Sequence, residues 1–214
     1  MTSSPQSEGD FDRDAWDRRW SQALRKGAHA VAQRPPNVHL VAAVADLVPG
    51  RALDAGAGHG AETLWLASGG WHVTAVDFST TALEYARSRA EGVGADVAER
   101  IEWIVADLAT WTPPPQRYDL VACLYVHVAG SVPAMVQRLA AGVTRGGTLL
   151  LVGHRPVDPA TGAPTPAAGQ VQVSVDTALA GLELGRWEVV VAEERPREAA
   201  GSGVDAAVRA RRVT

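Results

Sequence analysis

Residues 52–60, with the sequence ALDAGAGHG, constrain the fold of this chain more than any other segment. An apolar run ends at Asp54, glycines follow at positions 56, 58 and 60, and the next residues, AETLWLA, have the composition of a helix. Closely spaced glycines after a strand let a ligand approach the backbone where side chains would otherwise block it. The following helix offers that ligand free N–H groups and the positive end of its dipole. The segment therefore predicts a strand–loop–helix unit that binds a nucleotide-like molecule.

The glycine spacing alone does not choose the nucleotide. Gly56, Gly58 and Ala61 satisfy the relaxed dinucleotide fingerprint G-x-G-x-x-G/A, which keeps NAD open. The alternate glycine at position 60 and the acid at Asp54 lie outside that fingerprint. The choice between NAD and another nucleotide-like ligand depends on the rest of the chain.

Composition limits the class of protein. A chain of 214 residues, 46% of them hydrophobic, can bury one substantial core, and we expect a single domain over residues 11–214 behind a disordered tail at 1–10. The net charge of −4, without a long basic run, predicts no nucleic-acid partner, and no apolar run approaches the ~18 residues of a membrane span. A single cysteine and scattered histidines predict neither a disulfide nor a metal site. We expect a cytoplasmic protein, monomeric or homodimeric.

Strands and helices alternate along most of the chain. The patterns predict helices over 12–32, 37–48, 60–68, 80–91 and 131–143, and strands over 51–55, 71–76, 101–106, 118–124 and 148–153. Two further strands, 186–194 and 204–212, are separated by too few residues for a crossover helix and must form an antiparallel hairpin. The expected fold is α/β and Rossmann-like: a doubly wound, mostly parallel, seven-stranded sheet with a C-terminal antiparallel hairpin. A dinucleotide-binding half would continue with parallel crossovers instead.

Further polar residues follow the other strands. Asp77 ends the second strand about 20 residues after the glycine loop, where an acid can accept both ribose hydroxyls. Asp107 ends the third strand, and the LYVHV segment at the end of the fourth carries Tyr125 and His127. Because ligands in open α/β sheets bind outside the carboxyl ends of the strands, these residues should share one rim.

Together these segments resemble class I S-adenosylmethionine-dependent methyltransferases. The resemblance is carried by LDAGAGHGAETLWLA, GWHVTAVDFSTTALEYA, VADL, YDLVACLYVHV and GGTLLLVGH, and it is greatest to the small bacterial branch that includes tellurite-resistance and thiopurine-type enzymes. It covers about residues 12–212, and His59 departs from the small, polar or acidic residue that many relatives carry. It implies S-adenosylmethionine as cofactor and S-adenosylhomocysteine as product. The cofactor contacts expected from it are Trp20, Asp54, Gly56, Ala57, Gly58, Asp77, Phe78, Ser79, Ala106, Asp107, Leu108 and Cys123.

Several of these residues also have plainer interpretations. Asp77 could only cap a helix, Asp107 could only form a turn, and Cys123, inside an apolar strand, fits an inert buried thiol. Trp20, with Trp16 one helical turn before it, could face the sulfonium in a cation–π contact or simply attach the N-terminal helix to the domain. We expect the helices of residues 11–50 to cover the cleft.

Histidines at the rim are the candidates for chemistry. His127 follows the fourth strand and His154 the fifth, so either could act as a base or contact the substrate. Tyr125 and Arg155 are candidate substrate contacts, and the irregular segment 154–173 is a candidate substrate loop or lid. The expected reaction is methyl transfer to an oxygen, sulfur, nitrogen or chalcogen atom of a small molecule. A non-catalytic S-adenosylmethionine-binding protein and an NAD(P)-dependent oxidoreductase are the alternatives.

Overall fold

The computed structural model describes residues 17–18, 20–22, 25, 27, 33–127, 130–158, 161–164, 171–196 and 203–214. Seven strands are present there: β1 (Arg51–Ala55), β2 (His72–Asp77), β3 (Ile101–Val105), β4 (Tyr118–Leu124), β5 (Val143–His154), β6 (Trp187–Pro196) and β7 (Val204–Arg212). They form one sheet in the order β3-β2-β1-β4-β5-β7-β6. Strands β1 to β5 pair in parallel, and β7 runs antiparallel to both β5 and β6. The expected mostly parallel sheet with a C-terminal antiparallel hairpin is confirmed.

Helices cover both faces of the sheet. They are α1 (Val38–Val44), α2 (Ala61–Ser68), α3 (Thr80–Val93), α4 (Ala95–Ala98), α5 (Val132–Ala141) and α6 (Val175–Ala180), and a 3-10 turn spans Leu184–Arg186. The described residues between 17 and 27 are also helical. Ser79, Ser131 and Ser174 cap α3, α5 and α6 by accepting a bond from a first-turn N–H. No helix in these described ranges is long and apolar enough to cross a membrane.

Two apolar clusters fill the space between the sheet and the helices. On one face, Met135 and Leu139 of α5 pack with Val121 and Leu149 of the sheet. On the other face, residues of α1 to α4 pack on β-strand residues such as Ala75 and Leu120. Parallel strands buried on both faces explain the nearly continuous apolar runs of β1 and β4.

The strand order places a crevice above β1 and β4. From β1 the chain proceeds outward through β2 to β3, and it then returns to the other side of β1 to form β4. Ala55 at the end of β1 lies beside both Val76 of β2 and Cys123 of β4. The loops that leave these neighbouring strands diverge, and ligands bind at such a switch point.

The structure differs from the sequence prediction in details. β5 begins at Val143, earlier than expected, because the chain already pairs with Tyr118 before a register shift near Gly146 and Gly147. The short helices α4 and α6 were not predicted, since four and six residues carry little periodicity. The expected tail at 1–10 and Trp16 lie outside the described residues.

Gly153 in β5 offers a test of the packing behind the crevice. A Cβ at this position would overlap the backbone carbonyl of Val173, so Gly153→Ala should lower the free energy of unfolding by about 1–3 kcal/mol. Gly92→Ala is the matched control: it lies within α3 with open space around its Cβ position, and it should stabilise by about 0.5–1 kcal/mol. Urea unfolding of both variants measures the two effects. Equal midpoints would contradict the close approach at Gly153.

Candidate functional site

A cavity of about 490 Å³ opens at the carboxyl ends of β1, β2, β3 and β4. Thirteen of the sixteen predicted site residues line it: Trp20, Asp54, Gly56, Ala57, Gly58, Asp77, Phe78, Ala106, Asp107, Leu108, Tyr125, His127 and His154. The tertiary structure thus brings the four predicted strand-end motifs to one place.

The glycine loop forms a bare backbone cradle at the centre of this cavity. The N–H groups of Gly56 and Ala57 both donate to the carbonyl of Val76, which anchors the loop to β2. Gly56 has φ +89°, and a Cβ there would overlap the side chain of Val126. Only glycine adopts this conformation without strain and leaves room for Val126. The loop therefore lines the cavity mainly with backbone at Gly56 and Gly58.

Asp77 connects the loop to the start of α3. One carboxylate oxygen accepts from the Gly58 N–H and the other from the Ser79 N–H, each at 2.8 Å. Burial raises the pKa of Asp77, and the backbone bonds oppose that shift. Since a carboxylate has about four acceptor sites, these two bonds leave acceptor capacity toward the cavity. The capping interpretation of Asp77 and the ligand-binding one are therefore compatible.

Asp54 lies deeper, at the end of β1. Its carboxylate accepts from the Thr63 hydroxyl at 2.5 Å, which ties the strand to α2. Burial first, and then the carboxylate of Glu62, raises the pKa of Asp54 to about 7. Glu62 accepts from the Asn37 N–H at 3.1 Å and also lines the cavity. Two acidic side chains therefore stand at the end of the cavity beside the glycine loop.

Asp107 holds the turn after β3. Its Oδ1 accepts from the Ala109 N–H at 2.8 Å, as a turn residue would, while the residue also lines the cavity. Arg138 of α5 donates to the carbonyls of Leu108 and Ala109 at 3.1 and 2.7 Å. These bonds hold the loop after β3 in place, and Asp107 and Leu108 of that loop line the cavity.

An aromatic and polar group lines the cavity after β4 and β5. Tyr125 has φ +55°, a conformation that is costly for a bulky residue, and its ring stacks on His154 with centroids 4.0 Å apart. Asp205 of β7 accepts from the Tyr125 hydroxyl at 2.8 Å and lies 3.2 Å from His154 Nδ1. Asp205 was not predicted, because no local motif marks it.

Gln172 joins the two candidate histidines. Its Oε1 accepts from the His154 N–H at 2.6 Å, so its amide nitrogen is the atom that faces His127 Nε2, at 3.4 Å. The residue is buried although the segment 154–173 contains it. The part of this segment near Gln172 is therefore packed into the site.

The N-terminal helical residues cover the glycine loop. The Trp20 ring lies 5.3 Å from the His59 ring, and a Cβ on Gly58 would come within 2.9 Å of Trp20. Asp17 accepts from the hydroxyls of Ser79 and Thr81 at 2.6 and 2.8 Å. Sequence reasoning missed Asp17, whose partners lie more than sixty residues away along the chain.

Three predicted site residues lie outside the cavity lining. Cys123 is fully buried in the core, where burial raises the pKa of its thiol to about 12. Ser79 binds Asp17 and caps α3 instead. Arg155 pairs with Glu194 at 2.7 Å. The plainer interpretation of Cys123 as an inert buried thiol is the one that its surroundings favour, because a fully buried side chain in the core cannot contact a cleft ligand. Within the described ranges, no group of three or more His, Cys, Asp or Glu residues could hold a metal ion.

Comparison with known proteins agrees with this architecture. Residues 52–147 match a family described as a methyltransferase domain. No curated protein matches the sequence.

Solved structures share the fold over most of the chain. The [4+2]-cyclase SpnF has a TM-score of 0.70 at 14% identity, over 99% of both chains. An S-adenosylmethionine-dependent methyltransferase from Mesorhizobium loti has a TM-score of 0.61 at 21% identity, over 82% of this chain and 99% of its own. TehB from Haemophilus influenzae has a TM-score of 0.64 at 20% identity, over 82% of this chain and 62% of its own. The resemblance to class I methyltransferases is confirmed at the level of domain and fold.

The buried His59 should make stability depend on pH. Burial first, and then Arg34 and Arg89, lowers its pKa from 6.5 to about 4. Between these values the unfolded chain binds the proton more readily, so the stability that His59 contributes is present above pH 6.5 and is lost as the pH falls toward 4.

Urea unfolding from pH 7 to pH 4 tests this effect. The difference in unfolding free energy between the wild type and His59→Gln should shrink on acidification, by at most about 1.4 kcal/mol per pH unit. His72→Gln, at an exposed position, controls for the loss of a histidine as such. A difference that stays constant with pH would show that His59 is not held neutral by burial.

Proposed function

We propose that this chain, in which residues 52–147 match a methyltransferase domain and the strands have the class I methyltransferase order, transfers a methyl group from S-adenosylmethionine to a small molecule. One observation carries the proposal: the glycine cradle and the carboxylate of Asp77 are joined by a hydrogen bond and face one cavity. A nucleoside with an extended polar tail fits this arrangement, because its ribose can bind the carboxylate of Asp77 while its tail lies along the glycine loop. The solved relative from Mesorhizobium loti is an enzyme of this cofactor class, in agreement with the cofactor expected from the sequence.

The described residues fit this methyl donor. Asp77 would accept from the ribose hydroxyls, Asp107 would contact the adenine amino group, and the loop at Gly56 and Gly58 would receive the amino-acid end. When bound, the donor supplies a methyl group that its sulfonium has already activated. The protein then has to align the acceptor with that methyl group and to exclude water. Trp20 contributes to exclusion by covering the loop.

The acceptor would enter at the end formed by Tyr125, His127 and His154, all of which line the cavity. His127 receives the Gln172 amide at Nε2, so the lone pair of Nε2 is occupied and the ring proton belongs on Nδ1. We assign His127 a substrate-contact role rather than that of a base. An oxygen, sulfur, nitrogen or chalcogen acceptor is compatible with this end of the cavity.

Two alternatives are weighed against this function. An NAD(P)-dependent oxidoreductase is disfavoured because β7 runs antiparallel between β5 and β6, whereas a dinucleotide-binding sheet continues in parallel. A non-catalytic protein that binds S-adenosylmethionine would carry the same donor-binding residues, and SpnF, described as a [4+2]-cyclase, shares the fold over 99% of both chains. Fold alone does not separate the reactions it can host.

Calorimetric titration with S-adenosylmethionine, S-adenosylhomocysteine and NADH tests the proposed donor. Binding of the first two without NADH is the expected result. A search for methylated products with labelled donor then separates the enzyme from the non-catalytic alternative. Binding of NADH alone would overturn the proposal.

Removal of the Asp77 carboxylate should weaken donor binding. Asp77→Ala leaves the ribose hydroxyls without their acceptor and releases the Gly58 N–H, and we expect affinity to fall by about 10- to 100-fold, the cost of lost bonds to a charged group. Asp46→Asn, which removes an exposed carboxylate bound to Arg209, is the control with unchanged affinity. Calorimetry measures both, and thermal melting checks that each variant is folded. Equal affinity of Asp77→Ala and the wild type would contradict the ribose assignment.

His127→Ala should affect turnover more than donor binding. The ring lines the acceptor end of the cavity and not the glycine loop, so the Kd for S-adenosylmethionine should change by less than about twofold while kcat/KM for the acceptor falls at least about tenfold. Initial rates and calorimetry on the same preparation give the two values. The opposite pattern would make His127 a donor-binding or structural residue.

A further inference from the structure

Asp205 is a buried carboxylate at the junction of three elements. Its side chain, in a residue that is 2% exposed, accepts from the Tyr125 hydroxyl, lies 3.2 Å from His154 Nδ1 and lies 3.7 Å from His39 Nε2. Asn37 extends the group by donating to the Tyr125 hydroxyl oxygen at 3.1 Å. Burial of an ionised carboxylate is costly unless several donors compensate it, and this carboxylate has them.

The antiparallel hairpin places Asp205 beside His154. The two residues are direct cross-strand partners in the register of β5 and β7. The backbone of β5 and the bond from the His154 N–H to Gln172 then hold the histidine from the other side. His154 is therefore fixed by sheet geometry although it stands at the end of a strand.

This contact determines which ring nitrogen of His154 carries the proton. An ionised carboxylate only accepts hydrogen bonds, so Nδ1 must donate to Asp205 and Nε2 must bear the lone pair. The ring lines the cavity and stacks on Tyr125, which prevents it from turning. His127 has the opposite arrangement, with Nε2 occupied by Gln172.

We propose that Asp205 positions His154 as the general base of methyl transfer, and that the acceptor is a hydroxyl group. This inference rests on the proposed function. As the acceptor oxygen forms its bond to the methyl carbon, the carbon–sulfur bond breaks and its electron pair stays on the sulfur of S-adenosylhomocysteine. The hydroxyl proton passes to His154 Nε2, Asp205 stabilises the imidazolium, and the proton later leaves to water. A thiol that ionises in solution would not need this base.

The tautomer of His154 tests the positioning without any turnover. In ¹⁵N-labelled protein, long-range ¹H–¹⁵N spectra distinguish the two ring nitrogens, and the six histidines of the chain can be assigned by single His→Gln variants. We expect the Nδ1–H tautomer in the wild type and in Asp46→Asn, and its loss in Asp205→Asn. An Nε2–H tautomer in the wild type would overturn the inference whether or not the protein transfers methyl groups.

The role of His154 as a base must be tested by a measurement that a loss of packing alone would not change. The probes are a matched hydroxyl and thiol pair, 2-naphthol and 2-naphthalenethiol, of which the aryl thiol ionises in solution near neutral pH. With a hydroxyl probe, His154→Gln should lower kcat by about 10²- to 10⁴-fold, and Asp205→Asn by at least about tenfold, while KM for the donor is unchanged. With the thiol of the same pair, both variants should retain the wild-type rate within about threefold. His72→Gln, far from the cavity, controls for histidine loss.

Each other outcome contradicts one part of the proposed chemistry. Equal losses on both members of a pair would assign Asp205 and His154 a structural role, and methylation of thiols alone would overturn the hydroxyl assignment. Methylation of no probe, with donor binding intact, would count against the proposed function and the base role together. Absence of donor binding would remove the proposed function, and the tautomer result would still report on Asp205.

Discussion

The two backbone bonds accepted by Asp77 hold the centre of this structure together. They join the glycine loop after β1 to the first turn after β2, and each bond to the buried carboxylate is worth about 1.5–3 kcal/mol. Ser79, oriented by one of them, caps α3 and donates to Asp17. The cradle, the helix that follows β2 and the N-terminal cover over the cavity therefore all depend on one side chain.

Two chemically different sets of residues line the cavity. Near the glycine loop lie the acidic residues Asp54, Glu62 and Asp77, which suit a cationic, hydroxyl-rich donor. The other set is Tyr125, His127 and His154, which carry a hydroxyl group and two imidazole rings. This separation follows from the topology, because the first set leaves β1 and β2 and the second leaves β4 and β5.

The sequence predicts residues best where a chemically distinctive side chain follows a recognisable strand pattern. The strand-end residues at 54, 77 and 107 lie on the same rim because parallel strands end at the same edge of a sheet, which is a rule of topology rather than of packing. It failed at Cys123, where position next to a strand end suggested the cleft but side-chain alternation directs the thiol into the core. Arg155 stays a candidate substrate contact, and its ion-pair partner Glu194 belongs to β6, which no local pattern near Arg155 indicates.

The sequence by itself determined the order of strands and helices, the antiparallel end of the sheet and the glycine cradle, because each is encoded within a few neighbouring residues. Only the tertiary structure decided the roles of Asp205, Gln172 and Asp17. Nothing in the sequence distinguishes Asp205 from other polar residues. The register of β5 and β7 places it opposite His154. Gln172 lies in an irregular segment with no periodicity to place it, and Asp17 meets its partners across 62 and 64 residues of chain. Long-range register and loop packing depend on the summed burial of many side chains, and no short window of sequence contains that information.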